Sequence, residues 1–84
     1  MFFVYVLQSE KNGKFYVGQT AGVDERLIRH NAGRVPSTKG GRPWKLVYVE
    51  QYLFREEAMA RETELKSWHS HVQLASLIQQ AKPG

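Results

Sequence analysis

The sequence has no cysteine, only three prolines, and no apolar run that could cross a bilayer. Without thiols, no disulfide can staple a small core and no thiolate zinc site can form. The absence fits a reducing compartment without establishing one. The most apolar stretch, FFVYVL at Phe2–Leu7, is far shorter than the roughly 20 residues that a membrane-spanning helix needs. No basic segment precedes it as in a secretory signal, so it is expected to be mature structure in a cytoplasmic protein. Acidic residues are the scarcer charge, 8 against 12 Lys and Arg, leaving a net charge of +4. A pI near 9.6 favours a polyanionic partner, nucleic acid ahead of an anionic membrane. With no internal repeat or linker, 84 residues make one domain, 1–84, with a modest core.

What is present reads as alternating strands and helices. FFVYVLQS (Phe2–Ser9) is nearly all apolar, as expected of a strand covered on both faces. EKNG (Glu10–Gly13) carries the Asn-Gly pair of a tight hairpin, and KFYVGQT (Lys14–Thr20) returns as the second strand. Val23, Leu27 and Ile28 recur at helical spacing up to about Asn31, where Gly33 stops the helix. RVPSTKGGRPWK, residues 34–45, is a basic loop, and LVYVEQYL (Leu46–Leu53) alternates as a third strand. Helices are expected from about Arg55 to Trp68 and from about Val72 to Ala81. The order β-β-α-β-α-α predicts an α+β fold: a small three-stranded antiparallel sheet flanked by three helices.

Several residues bear chemistry. Tyr5 and Tyr16 lie on the two arms of the hairpin, so their phenols are free either to meet or simply to pack as good strand residues. Gly18 marks a bulge or a close approach of another group. Arg26 and His30 share a helix face at i, i+4, on the side flanking the apolar stripe, where a solvated surface is the plain expectation. His69 and His71 are far from His30 and in no zinc-like spacing. On the second long helix, Phe54, Ala58, Leu65 and Trp68 mark an apolar stripe that Met59 widens. Glu62 and Arg61 both interrupt it. Pairing of Glu62 with Lys66 and snorkelling of Arg61 would account for them without any function.

Taken together, Phe3-Val4-Tyr5, Tyr16-Val17-Gly18, an arginine ten residues after the second tyrosine and a histidine four later resemble the GIY-YIG nuclease family. The first half-motif departs from the family at its glycine position. GQTAGVDERLIRHNAG continues the resemblance through Arg26, His30 and Asn31, and EEAMARETELKSW is similar to the family's glutamate helix, with Glu62 at the glutamate. RPWKLVYVE resembles the small stand-alone bacterial branch. The resemblance spans roughly residues 2–68, and its spaced combination is more specific than either tripeptide.

The resemblance implies a metal-dependent endonuclease that hydrolyses DNA phosphodiester bonds with one Mg²⁺ or Mn²⁺. In this reading Glu62 binds the metal, Arg26 steadies charge on the phosphoryl group, and Tyr5 takes the proton of the attacking water. Tyr16 and His30 complete the site, with Lys14 or Lys39 a candidate to favour the phenolate. DNA is expected ahead of RNA, cut by structure or strandedness and not by sequence, with no membrane or small-molecule cofactor involved. Arg29, Arg34, Lys39, Arg42 and Lys45 are expected to follow the nucleic-acid backbone. Trp44 either stacks on a base or packs at the sheet edge. Two alternatives stand beside this reading: a catalytically idle nucleic-acid-binding module, and a protein-interaction domain on the same fold.

Overall fold

The apolar N-terminal strand β1 (Phe2–Ser9) is the middle of a three-stranded antiparallel sheet of order β2-β1-β3. Its central position explains why it needs apolar residues on both faces. The architecture comes from a computed structural model that describes residues 1–68 and 70–81. Strand β2 (Phe15–Thr20) pairs with β1 through Tyr5↔Gly18 and Leu7↔Tyr16. Gly13, at φ 77°, closes the hairpin, and Ser9 Oγ accepts hydrogen bonds from the Lys11 and Asn12 amides. Strand β3 (Trp44–Tyr52) pairs with the other edge of β1 and starts two residues before the expected Leu46, leaving Leu53 outside. A register shift between Val6 and Leu7 interrupts simple alternation, so Val47 and Tyr48 both pack towards the same core.

Helices cover both faces. Helix α1 (Val23–Asn31) ends at Gly33, whose positive φ of 77° suits a residue without Cβ, with Arg34 N–H closing onto the Arg29 carbonyl. A 3₁₀ turn (Pro36–Gly41) orders part of the expected loop. Helix α2 (Arg55–Lys66) stops two residues short of Trp68, and α3 (His71–Ala81) begins one residue before Val72. Val4, Val6 and Val17 on one side of the sheet bury against Ala58 and Leu65 of α2 and Leu74 and Ile78 of α3. Tyr5, Leu7 and Trp44 on the other side pack with Tyr16 and with Leu27 of α1. Among the described residues, no helix is long and apolar enough to cross a membrane.

Three expectations about faces are corrected by this packing. Ile28 is 68% exposed, whereas His30, expected on a solvated face, is fully buried. The inward side of α1 is therefore Leu27 and His30, three residues apart, and not Leu27 and Ile28. On α2, Ala58 and Leu65 alone are buried, while Phe54 and Met59 point to solvent. Trp44 is 7% exposed and its indole N–H donates to the Thr38 carbonyl, which rules out base stacking and leaves the packing role. Of the histidines excluded as metal ligands, His71 stacks on Phe15, and His69 lies outside the described residues.

The amide of Asn31 joins α1 to the start of β3 by accepting from the Trp44 amide at 2.7 Å and donating to the Trp44 carbonyl at 2.9 Å. Asn31→Ala leaves both backbone groups without this partner, at about 1–3 kcal/mol for each one left unsatisfied. At roughly 4–8 °C per kcal/mol in a domain of this size, the melting temperature should fall by about 8 °C or more.

Candidate active site

The tyrosines meet because of a glycine. Tyr5 faces Gly18 across the hairpin, and a Cβ built on Gly18 would stand 2.5 Å from the Tyr5 hydroxyl oxygen. Only a bare backbone at 18 lets the phenol lie across β2, which is the physical content of the Tyr-Val-Gly tripeptide. Tyr16 lies one cross-strand pair further along the same face, its ring centroid 6.3 Å from that of Tyr5. The His30 ring meets Tyr16 edge-on at 4.9 Å.

Helix α1 drives His30 into this layer. The Tyr5 hydroxyl and His30 Nε2 are 2.9 Å apart, and His30 Nδ1 lies 2.8 Å from Thr38 Oγ1. The Thr38 hydroxyl also reaches the Val35 carbonyl, which can only accept. One arrangement of protons satisfies every donor: Thr38 donates to Val35, His30 Nδ1–H donates to Thr38, and Tyr5 donates to a bare Nε2. Burial holds the His30 pKa below the ordinary imidazole value, and the Arg26 and Arg29 charges lower it further. Burial pushes the Tyr5 phenol well above its usual value; Tyr16 and Glu62 add to the rise, and Arg26 opposes it. Arg26 stands one helical turn before His30 on α1. The resting layer is thus a neutral phenol on a neutral imidazole.

Helix α2 supplies the acid. Arg61 and Glu62 straddle the stripe of Ala58 and Leu65 and turn to opposite sides. Arg61 pairs with Glu50 of β3, which also accepts from Tyr48 and Tyr52, and it extends to Glu64. Burial alone would raise the Glu50 pKa, but the bonds from Arg61, Tyr48 and Tyr52 outweigh it and lower it. Tyr52 is pushed up to about 12, by burial and then by its bond to Glu50. This side of α2 is a structural ion pair, and Arg61 takes no part in the site. Glu62 turns the other way, its side chain 21% exposed and Oε2 2.9 Å from Lys66 Nζ. Lys66 in turn stands 5.9 Å from the centre of the Tyr16 ring. Lys66 is therefore a lysine at the tyrosines, whereas Lys39 lines a separate cleft. The i, i+4 spacing of Lys66 from Glu62 was the available signal.

Tyr5, Tyr16, Arg26, His30 and Glu62 accordingly come from two strands and two helices to one region. A cleft of about 220 Å³ opens beside it, lined by Phe2, Gln19, Thr20, Arg26 and Arg55, and an adjoining one is lined by Arg26 and Arg29. Arg29 is thus a neighbour of the site. Lys39 and Arg42 meet elsewhere, in a separate cleft with Lys11, which the sequence reading had not singled out. Arg34 and Lys45 are exposed and line neither.

A divalent metal finds one carboxylate here. Among the described residues no cluster of three or more His, Asp or Glu side chains forms a cage. A lone, partly exposed Glu62 fits an ion such as Mg²⁺, which keeps much of its water and shares phosphate oxygens. It does not fit a structural metal.

Comparison with known proteins places the same residues in context. The sequence profile of the GIY-YIG catalytic domain matches residues 1–74. The chain is 40% identical over 67 residues to a UPF0213 protein of Staphylococcus haemolyticus, covering 79% of this chain and 80% of that one. It is 37% identical over 65 residues to a UPF0213 protein of Streptococcus pneumoniae, covering 76% and 65%. The solution NMR structure of the UPF0213 protein BH0048 from Bacillus halodurans aligns with a TM-score of 0.61 at 32% identity, covering 96% of this chain and 86% of that one.

Because the folded His30 pKa is depressed, its neutral form contributes stability above about pH 6.5, the unfolded value. That contribution is lost as pH falls through the lower folded value. NMR titration should find the His30 midpoint below about 6.5, with the neutral ring protonated on Nδ1. His30→Gln should flatten the decline in melting temperature between pH 7 and pH 5.

Proposed function

The chain belongs to the GIY-YIG family, a nuclease family, and we propose that it is a metal-dependent endonuclease that hydrolyses DNA phosphodiester bonds. The observation that carries this reading is the layer of Tyr5, Tyr16 and His30, with Arg26 one helical turn before His30 on a cleft wall and Glu62 joined to Tyr16 through Lys66. Few groups remain on so small a domain to read base edges, so cleavage follows DNA structure or single-strandedness and not sequence.

The reaction adds water across a phosphorus–oxygen bond. The water oxygen bonds to phosphorus while its proton goes to a base, one ester bond breaks, and the departing oxygen leaves as a hydroxyl. Negative charge accumulates on the phosphoryl oxygens, and the Arg26 guanidinium stands ready to meet it. Glu62 would hold the Mg²⁺ or Mn²⁺, which when bound supplies positive charge at the phosphate and the leaving oxygen.

The resemblance assigned the water's proton to Tyr5, but Tyr5 is only 2% exposed and already donates to His30. Tyr16 is partly exposed on an edge strand, with the Lys66 ammonium over its ring. Tyr16 therefore receives the proton, and Tyr5 with His30 forms the rigid neutral wall that aims it.

Glu62→Gln should abolish Mn²⁺-dependent cleavage of a panel of single-stranded, duplex, flap and branched DNAs while leaving the circular dichroism melt unchanged. In the same assay Arg26→Ala should lose on the order of 10² or more in rate, and Arg29→Ala far less. Equal losses would reduce Arg26 to part of a generic basic surface.

Removing the proper general base costs about 10²–10⁴ in rate, so single-turnover rates should fall by that factor for Tyr16→Phe. Tyr5→Phe should fall less and shift the imidazole resonances of His30. The opposite ranking returns the base to Tyr5.

A further inference from the structure

The second basic cleft lies away from the tyrosines. Its volume is about 690 Å³, and Lys11, Asn31, Lys39, Gly40, Arg42 and Pro43 line it. No carboxylate is among those residues. Among the described residues Lys11, Lys39 and Arg42 form no ion pair, and neighbouring Glu10 engages Pro43 only through its backbone.

Two of the cations are held in advance. Arg42 Nε donates to the Lys39 carbonyl at 2.9 Å. Its guanidinium passes so close to Gly33 that a Cβ there would stand 2.7 Å from Nη1. Lys11 Nζ reaches the Gly40 carbonyl at 3.4 Å. An oriented guanidinium edge beside two ammonium groups suits the oxygens of a phosphate.

The distance to the tyrosines follows from β1. Ser9 Oγ donates to the Gly41 carbonyl next to the cleft, and Tyr5 lies four residues back on the same strand. At roughly 3.3 Å per residue the strand separates Ser9 from Tyr5 by about 13 Å, and Tyr16, paired with Leu7, lies nearer.

We infer that this cleft is a second phosphate-binding site, which grips the backbone of the same nucleic acid away from the scissile bond. The inference rests on the nuclease reading and adds to it a fixed anchor. Contacts of this kind set register and carry no sequence information. The anchor therefore fixes how far from its grip the domain cuts, independently of base composition.

The test is fluorescence anisotropy with Glu62→Gln protein and labelled duplexes lengthened one base pair at a time, repeated over a salt series. Affinity should rise steeply once the DNA spans both sites. Lys11→Ala/Lys39→Ala/Arg42→Ala should remove that rise and flatten the slope of log affinity against log salt by about 2.7, at roughly 0.9 per cation. Lys11→Ala/Lys39→Ala, which leaves the Arg42–Gly33 contact intact, should give about two thirds of the change. The charge-matched control Arg34→Ala/Lys45→Ala should keep the length step. Unchanged length dependence in the triple variant, or an equal loss in the control, overturns the anchor while DNA binding itself leaves the nuclease reading standing. Absence of binding to any duplex or single strand overturns both.

Discussion

The constraint on which the candidate site depends is the need to bury a phenol, an imidazole and a hydroxyl in one layer and still satisfy each of them. Tyr5, His30 and Thr38 come from β1, α1 and the 3₁₀ turn, so their hydrogen bonds fix three separate elements relative to one another. Leaving any one of these groups unpaired would cost about 1–3 kcal/mol, a large part of the stability of a small domain. The chain continues through the Thr38 carbonyl to the Trp44 indole, and so reaches the start of β3. Space for these large rings comes from residues without side chains: a Cβ on Gly41 would meet Trp44 at 2.5 Å, as one on Gly18 would meet Tyr5.

Against this neutral layer, the charges are confined to the rim. Helix α2 divides its ionic groups between the two sides of its apolar stripe. Arg61 is consumed by Glu50 and Glu64, and two tyrosines complete the coordination of Glu50. Among the described residues Glu62 has only Lys66, a partner that is itself half exposed and beside Tyr16. A carboxylate held by one exposed lysine is easily recruited by an arriving cation, because surface ion pairs are weak. A carboxylate with the four donors of Glu50 is not. The same helix thus carries one acid committed to structure and one available for chemistry.

The first helix shows how a small domain fits catalytic and structural demands onto nine residues. Arg26 faces the cleft at one end, His30 is buried in the tyrosine layer, and Asn31 ties the other end to β3. Acidic residues in its first turn and basic ones in its last complement the helix dipole. Its inward side is short of apolar groups for this reason, and Ile28 is left outside.

Local sequence alone determined the elements: the central apolar strand, the Asn-Gly hairpin, a helix ending at Gly33, and the order that makes an α+β sheet with helices on it. These depend on interactions within a few residues, where pattern and turn chemistry are decisive. The spaced tyrosines, Arg26, His30 and Glu62 were legible as a set through their family resemblance. Only tertiary structure decided which faces are covered. His30 was expected in solvent and is buried, because its partners on β1 and at Thr38 are distant in sequence. The ambiguity between Arg61 and Glu62 was resolved by Glu50, on a different strand, which captures Arg61. Basic residues of the loop looked equivalent in the sequence, yet folding groups Lys39 and Arg42 with Lys11 and leaves Arg34 and Lys45 apart. Charge placement of this kind depends on contacts between elements, and no spacing along the chain encodes it.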